Sequence, residues 1–182
     1  MLTANTARLI GFNPRRDREK DDFYATPEST TLALLKAEKF IGPIWEPCCG
    51  AGHISKVLAA QGYEVESSDL VDRGFGIPRV DALMEYRDAE NIVTNPPYKN
   101  SIDFAEHFTD CAPKVALLLK LNFLEGLQRK EFFNRKPPKR IYVFSKRQSL
   151  MKNGVAHRGG MMALAWFVWE RGNTAPPRIG WL

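Results

Sequence analysis

The tetrapeptide Asn95-Pro96-Pro97-Tyr98 has residue types that suit chemistry on a planar amine. It follows the apolar segment 91–94, which predicts a strand. Two consecutive prolines cannot continue a helix or donate to a sheet, so the chain leaves the strand in a stiff, extended geometry. The Asn95 amide and the Pro96 carbonyl then lie side by side as acceptors, next to an aromatic ring. This arrangement suits a planar group that carries an NH2, such as a base or an amide.

A glycine-containing turn between a short strand and a helix is the second motif. It reads Glu46-Pro47-Cys48-Cys49-Gly50-Ala51-Gly52. Glycine lets the backbone turn tightly and approach a ligand, and the helix N-terminus that follows offers free N–H groups. A tight strand-to-helix turn without a ligand has the same local pattern. The chain lacks GxGxxG, and it lacks GxxxxGK followed by Ser or Thr, so NAD and ATP chemistry are both disfavoured.

Two carboxylates follow this turn at predicted strand ends. Asp69 lies 23 residues beyond Glu46, after the strand predicted at residues 63–65. A dinucleotide or nucleoside fold places an acid there to bind ribose hydroxyls. Asp81 follows a third predicted strand at residues 79–80 and could accept from an adenine amino group. Each acid alone could be a solvated surface carboxylate, but in series they favour an adenosine-containing ligand.

From residue 22 to residue 169, the sequence resembles the class I S-adenosylmethionine-dependent methyltransferases, and within them the DNA N6-adenine methyltransferases. Residues 23–27 resemble the segment that closes over the methionine end of the cofactor, and residues 46–52 resemble the cofactor loop. The resemblance implies contacts with S-adenosylmethionine from Tyr24, Thr26, Glu46, Pro47, Cys48, Gly50, Gly52, Asp69, Asp81, Ala82 and Asn95.

The same resemblance makes Asn95, Pro96, Pro97 and Tyr98 the catalytic tetrapeptide. An exocyclic amine is a poor nucleophile because its lone pair is delocalised into the ring. Acceptors at the Asn95 side chain and the Pro96 carbonyl would hold its N–H bonds out of the ring plane, mainly in the transition state. Tyr98 would stack on the adenine, which must be flipped from the duplex or arrive single-stranded.

Strands alternate with helices along the chain, which predicts an α/β fold with a mostly parallel sheet. We expect a Rossmann-like class I methyltransferase fold with seven strands, helices on both faces, and a terminal antiparallel pair at residues 140–145 and 163–169. Trp166 and Trp169 are expected in the core. Helices are predicted at residues 26–40, with Thr26 as N-cap, and at 53–61, 101–112 and 122–133. The connection 146–161 shows no strong helical period and is expected to be a loop.

Charge is unevenly distributed along the chain. Lysine and arginine number 26 and aspartate and glutamate 21, a formal charge of +5, yet residues 129–158 alone contain ten basic residues and one acid. Such a stretch can contact phosphates and position nucleic acid. The nucleic-acid-binding residues predicted in it are Lys146, Arg147, Lys152, His157 and Arg158. Lys120 and Asn122, at the end of the strand predicted at 115–119, are further candidates for substrate contact.

Domain organisation and location follow from composition. Residues 1–22 are expected to be a flexible basic arm, and residues 23–182 a single methyltransferase catalytic domain without a separate target-recognition domain. No stretch reaches 18 consecutive apolar residues and no secretory signal begins the chain, so a cytoplasmic protein that does not enter membranes is expected. Three cysteines without a CxxC pair predict reduced thiols and no metal site.

Three interpretations of substrate and activity stay open at this stage. DNA adenine is the leading acceptor. An RNA base or a protein glutamine amide presents a similar NH2 group, although the basic segment favours nucleic acid. A non-catalytic nucleic-acid-binding module with the same fold is the alternative of another class, which the intact Glu46, Asp69 and Asn95 disfavour.

Overall fold

The computed structural model describes residues 24–87, 89–152 and 155–182, so the arm predicted at residues 1–22 lies outside it. In the described part, the helices are α1 (Glu28–Ala37), α2 (His53–Ala60), α3 (Ser101–Cys111) and α4 (Leu127–Arg135). The strands are β1 (Ile44–Glu46), β2 (Val65–Asp69), β3 (Ile77–Pro78), β4 (Asn91–Thr94), β5 (Lys114–Lys120), β6 (Arg140–Val143), β7 (Gln148–Lys152), β8 (Val155–Met162), β9 (Leu164–Glu170) and β10 (Arg178–Trp181).

One mostly parallel sheet organises the fold, with strand order β10-β6-β9-β5-β4-β1-β2-β3. Strand β9 alone runs against its neighbours β5 and β6, which confirms the predicted antiparallel pair. In the described residues this sheet has eight strands and not the predicted seven, because β10 pairs in parallel with β6 at the edge. Its side chains are largely exposed, so β10 carries no apolar pattern that the sequence could reveal.

The buried strands β4, β5 and β9 form the centre of the core. Every residue of β4 is buried, as are the inner five residues of β5, because helices cover both faces of the sheet. Trp166 and Trp169 are buried in β9, and their indole N–H groups donate to the carbonyls of Thr30 and Lys136, each at 3.0 Å. Both tryptophans therefore pack the sheet, as expected.

The connection between β6 and β9 is a β-hairpin, so the prediction of a loop at residues 146–161 is wrong. Strands β7 and β8 pair in antiparallel fashion as a separate two-stranded sheet. The sequence carries a signal for it, because the dipeptide Asn153-Gly154 lies between the paired residues Lys152 and Val155. At its base, the Thr30 hydroxyl donates to the Gln148 side chain at 3.1 Å, which connects the hairpin to α1.

Several predicted element boundaries shift for local reasons. Helix α1 begins at Glu28 with Pro27 as N-cap, so Thr26 does not cap it. The third strand is β3, two residues before the predicted position. The helix predicted at 122–133 is divided into a 3-10 turn at Leu121–Leu124 and α4, because Gly126 between them has a φ of +105° that a helix cannot contain.

A network of ion pairs lies at the edge of the sheet where the parallel strands begin. Glu38 is buried and accepts hydrogen bonds from Arg140 (Nε and Nη2), from Lys114 at 2.7 Å and from the Tyr142 hydroxyl at 2.8 Å. Burial alone would disfavour the charged carboxylate, but these hydrogen bonds outweigh it and lower the pKa of Glu38. Arg140 also bonds Glu170, so two acids and two bases neutralise one another.

The basic stretch 129–158 is consequently not one surface. Its members Arg135, Lys136 and Arg140 lie at the edge just described, where they pair with Glu106, Asp110 and Glu38 respectively. Lys146 and Arg147 are exposed beyond the opposite end of β6, at the start of the hairpin. The hairpin half of the stretch lies at the edge of the sheet where the parallel strands end, as does Arg129, which donates to the Asn122 carbonyl just beyond β5.

Glu38→Gln should lower the free energy of unfolding by about 2–4 kcal/mol at pH 7, because it leaves Arg140 and Lys114 part-buried without a full counter-charge. Urea unfolding measures this. The matched control Glu106→Gln removes an exposed ion pair and should cost no more than about 0.5 kcal/mol. Equal losses in the two variants would contradict the role given to Glu38.

Candidate active site

A cleft opens at the sheet edge where the parallel strands end, and it contains most of the residues predicted to act together. It encloses about 840 Å³ including its open mouth. The chain reaches it from the ends of β1, β2 and β4 and from the segment before α1. Its lining includes the predicted residues Tyr24, Thr26, Glu46, Pro47, Cys48, Asp69, Asp81, Ala82, Asn95 and Pro97.

Asn95 lies at the end of β4 with its side-chain amide oriented by two acceptors. Its Nδ2 donates to the Tyr24 carbonyl at 3.2 Å and to the Thr26 hydroxyl oxygen at 3.1 Å. Because a carbonyl can only accept, these contacts fix which amide atom is nitrogen. Asn95 Oδ1 is buried, and none of the described residues donates a hydrogen bond to it. A buried acceptor without a donor is costly, so this oxygen has an unused capacity to accept a hydrogen bond.

The turn between β1 and α2 is held in shape before any ligand binds. Asp69, the last residue of β2, accepts from the Gly50 N–H through Oδ2 and from the Val71 N–H through Oδ1, both at 2.8 Å. Gly52 has a φ of +78°, and a Cβ at this position would lie 2.5 Å from the Phe75 ring. Glycine is therefore required at residue 52 by conformation and by close approach, while Gly50 contributes its N–H to Asp69.

Glu46 is a buried carboxyl at the start of this turn. Its Oε2 accepts from the Ser55 backbone N–H at 2.7 Å and from the Ser55 hydroxyl. Burial raises the pKa of Glu46 to about 8, and the negative charge of Asp69 adds a smaller increase. The hydrogen bonds from Ser55 lower the pKa but do not outweigh burial. Glu46 is therefore mostly protonated at neutral pH.

Asp81 and Ala82 lie in a turn after β3 and form another wall of the cleft. Asp81 is exposed and its Oδ1 accepts from the Leu83 N–H at 3.1 Å, whereas Ala82 is buried. Nine further residues line the cleft and were not predicted as site residues, although each is close in sequence to a predicted motif residue or element. These are Ala25, Cys49, His53, Ile54, Leu70, Val71, Arg73, Val80 and Phe104.

Tyr98 lies beside the cleft and not in its lining, in a 3-10 turn at Tyr98–Asn100. Its ring stacks on the Tyr24 ring, with 6.2 Å between centroids and 22° between planes. The Lys120 ammonium lies over the Tyr98 ring, 4.6 Å from its centroid. Such a cation–π contact is worth about 0.5–2 kcal/mol. Lys120 thus lies next to the predicted catalytic tetrapeptide, whereas Asn122 is exposed beyond it.

The predicted nucleic-acid-binding residues lie on the hairpin or just before it. Lys146 and Arg147 precede β7, Lys152 ends it, and His157 and Arg158 lie on β8. Pro96 is buried between Asn95 and Pro97 and does not line the cleft. The structure thus brings together the predicted cofactor and catalytic residues at one edge, with the hairpin rising from the same edge.

The three cysteines are free thiols. Burial, with the nearby charges of Asp69 and Glu46, raises the pKa of Cys48, and burial with the same two charges raises that of Cys49 to about 12. Neither is a nucleophile at neutral pH. Within the described ranges, no cluster of His, Cys, Asp and Glu side chains could hold a metal ion, and no helix is long and apolar enough to cross a membrane.

Comparison with solved structures identifies the fold. The chain resembles a candidate RNA methyltransferase from Pyrococcus horikoshii, with a TM-score of 0.62 and 12% identity over 82% of this chain and 87% of that one. It also resembles the methyltransferase subunit of a type I restriction-modification system from Streptococcus thermophilus, with a TM-score of 0.62 and 12% identity. That match covers 87% of this chain and 46% of the subunit, so the chain spans about half its length.

The 23S rRNA methyltransferase ErmE is a third similar structure, with a TM-score of 0.59 and 12% identity over 83% of this chain and 71% of that one. No protein-family model and no curated protein sequence matches the chain. The likeness therefore lies in the fold: the chain has the class I methyltransferase fold, and the predicted fold class is confirmed.

Glu46→Gln should raise Tm increasingly with pH. In the unfolded chain this carboxyl ionises near 4.5, whereas the folded protein holds the proton to about 8, so stability falls as pH rises through that window. Glutamine mimics the protonated form and removes this loss. The Tm difference from wild type should be small near pH 5 and on the order of 5 °C or more at pH 8.

Thermal unfolding at both pH values measures the effect. The matched control Glu64→Gln changes an exposed residue and should show no such pH-dependent gain. A Tm difference for Glu46→Gln that is the same at pH 5 and pH 8 would mean that Glu46 ionises normally in the folded protein.

Proposed function

We propose that this protein transfers a methyl group from S-adenosylmethionine to the exocyclic N6 amine of adenine in DNA. The observation that carries the proposal is Asn95, whose Nδ2 is held by Tyr24 and Thr26 while its buried Oδ1 has no donor among the described residues. Asn95 follows β4 and lines the cleft of a class I methyltransferase fold. An amine that enters this cleft would donate one N–H to the Asn95 oxygen.

The residues of the cleft fit the cofactor. The protonated Glu46 carboxyl would ionise on meeting the cofactor's ammonium group, and Asp69 retains lone pairs for ribose hydroxyls beyond its bonds to Gly50 and Val71. Leu70 and Ala82 offer apolar contact for a purine ring, and Asp81 offers an acceptor for its amino group. When bound, S-adenosylmethionine supplies a methyl group on a positively charged sulfur.

The tetrapeptide would prepare the acceptor amine. Asn95 Oδ1 and the Pro96 carbonyl accept its two N–H bonds, which draws the nitrogen lone pair out of conjugation with the ring and aims it at the methyl group. This gain is greatest in the transition state, where positive charge develops on the amine. Stacking of the base on Tyr98 contributes about 1–3 kcal/mol and holds the amine in place.

A nucleic acid is the acceptor that the charge distribution favours over a protein glutamine. The hairpin segment 145–162 contains four basic side chains and no acid, and it rises from the edge of the sheet that carries the cleft. The type I subunits to which the chain is similar support DNA, and the similar RNA methyltransferases make an RNA base the second candidate.

One experiment separates these acceptors. Tritiated S-adenosylmethionine is incubated with the protein and with DNA, RNA and protein fractions in parallel, and the labelled product is digested and identified. N6-methyldeoxyadenosine is expected. Label in an RNA nucleoside or in methylglutamine would move the substrate to that class, and no label in any fraction would contradict methyl transfer.

Asn95→Ala should reduce the rate of methyl transfer by about 10²–10³-fold, because it removes an acceptor that acts in the transition state. Affinity for S-adenosylmethionine, measured by calorimetry, should fall far less than the rate does, since the variant loses the bonds to Tyr24 and Thr26 but keeps the other residues of the cleft. The control Asn95→Asp keeps an oxygen at the Oδ1 position and should retain more activity than alanine does. Full activity in Asn95→Ala would exclude the tetrapeptide from catalysis.

Replacing Lys146 and Arg147 together by glutamate should weaken DNA binding and make its dependence on salt shallower, because phosphate contacts release counterions. The slope of log K against log salt should fall by about two. The matched control replaces Lys36 and Lys39, which are exposed at the opposite edge of the sheet, by glutamate. If both double variants shift the slope equally, the hairpin is not the DNA site.

A further inference from the structure

The glycine turn at residues 49–52 has one face that a side chain of the protein already fills. In dinucleotide-binding folds, the second glycine of such a turn lets the backbone approach a pyrophosphate, which lies at the N-terminus of the following helix. Gly52 has the corresponding place here, since it is the N-cap of α2. The Phe75 ring lies against it, because a Cβ on Gly52 would be 2.5 Å from two ring carbons. A phosphate over Gly52 would therefore have to displace this ring.

The backbone of the loop after β2 holds Phe75 at this place. Strand β3 pairs with β2, so the loop between them turns back toward β2. Gly76 has a φ of +69°, and a Cβ at this position would lie 2.7 Å from the Ser67 carbonyl oxygen, so glycine is required where the chain passes so close to β2. The Phe75 carbonyl accepts from the Cys49 thiol at 3.7 Å. Phe75 is thus anchored through its own carbonyl and through its neighbour Gly76.

Lys56, in the first turn of α2, contacts both the ring and the glycine turn. Its ammonium lies 4.9 Å from the centroid of the Phe75 ring and donates to the Ala51 carbonyl at 2.9 Å. A cation over the face of an aromatic ring is attracted to that ring. Lys56 therefore stabilises the arrangement in which the ring covers the turn.

Charge at the turn also disfavours a phosphate. The Gly50 N–H donates to the Asp69 carboxylate at 2.8 Å, and the Ser55 N–H donates to the Glu46 carboxyl at 2.7 Å. In nucleotide-binding proteins, N–H groups at a helix N-terminus bind phosphate. Here two acids accept from N–H groups of the turn and of the first turn of α2, and the negative charge of Asp69 would repel a phosphate placed beside it. Shape and charge therefore act in the same direction.

We propose that Phe75 is a specificity-determining residue of the cleft, an inference that rests on the nucleoside cofactor proposed above. Its ring closes the position over Gly52 to phosphate. The cleft therefore accepts an adenosine whose 5′ substituent is not a phosphate, such as S-adenosylmethionine, and rejects ADP and NAD. The missing GxGxxG pattern disfavours NAD by comparison with other sequences, whereas the ring supplies the physical obstacle.

Adenosine and ADP test this selectivity, because they share the nucleoside and differ in the diphosphate. Calorimetry with the wild-type protein should give a Kd for ADP at least about tenfold higher than that for adenosine, as expected for a ligand that must displace a packed ring. Equal Kd values would overturn the inference.

Phe75→Ala should lower the Kd for ADP about tenfold, because the ring no longer fills the space over Gly52. The Kd for adenosine should change far less, since Phe75 does not line the cleft.

The matched control Ile77→Ala shortens a half-exposed apolar side chain two residues further on and should leave both Kd values unchanged. Equal changes in the two variants, or a loss of adenosine binding by Phe75→Ala, would overturn the inference.

Thermal unfolding tests the contact itself without a ligand. Gly52→Ala adds a Cβ that meets the Phe75 ring, so its Tm loss should be smaller in the Phe75→Ala protein than in the wild type. The strain of a φ of +78° at residue 52 is present in both backgrounds and cancels in the comparison. Equal Tm losses would show that the ring does not cover Gly52 and would overturn the inference.

Failure of this inference differs from failure of the proposed function. If the wild-type protein transfers methyl groups but binds ADP as tightly as adenosine, the inference fails and the proposed function stands. If it binds adenosine, rejects ADP and transfers no methyl group to any acceptor, the proposed function fails and the selectivity stands. Binding of neither adenosine nor S-adenosylmethionine would overturn both.

Discussion

The two hydrogen bonds from Asn95 Nδ2, to the Tyr24 carbonyl and the Thr26 hydroxyl, are the contact on which the site depends. They connect the segment before α1 to the end of β4, across roughly 70 residues of sequence, and close one side of the cleft. They also use the N–H donors of the amide, so that its buried oxygen is left without a donor from the described residues. One amide thus joins two segments and orients an acceptor.

Two carboxylates prepare the same cleft in different ways. Asp69 is bonded to the backbone of the glycine turn and holds it in shape, whereas Glu46 is buried against Ser55 and keeps its proton at neutral pH. The protein therefore presents a formed turn and an uncharged acid before a ligand arrives. A cationic ligand would favour the charged form of Glu46. Because Asp69 already orders the turn, ordering it on binding would cost little entropy.

Charge is separated between the two ends of the sheet. At the end where the parallel strands begin, Arg140 and Lys114 are bound to Glu38 and Glu170 and serve stability. At the other end, the exposed Lys146 and Arg147 lie at the start of the hairpin. The fold therefore divides one basic stretch of sequence between the two ends of the sheet.

Local sequence determined the α/β class, the buried strands and the motifs at residues 46–52 and 95–98, because strand periodicity, glycine turns and a double proline act over a few residues. The hairpin β7–β8 also had a local signal in Asn153-Gly154. Tertiary structure alone decided that Thr26 contacts Asn95 and does not cap α1, that Arg140 is neutralised by Glu38, and that Lys120 covers Tyr98. Each of these pairs residues more than 20 positions apart, and strand order, which sequence spacing does not encode, brings them together.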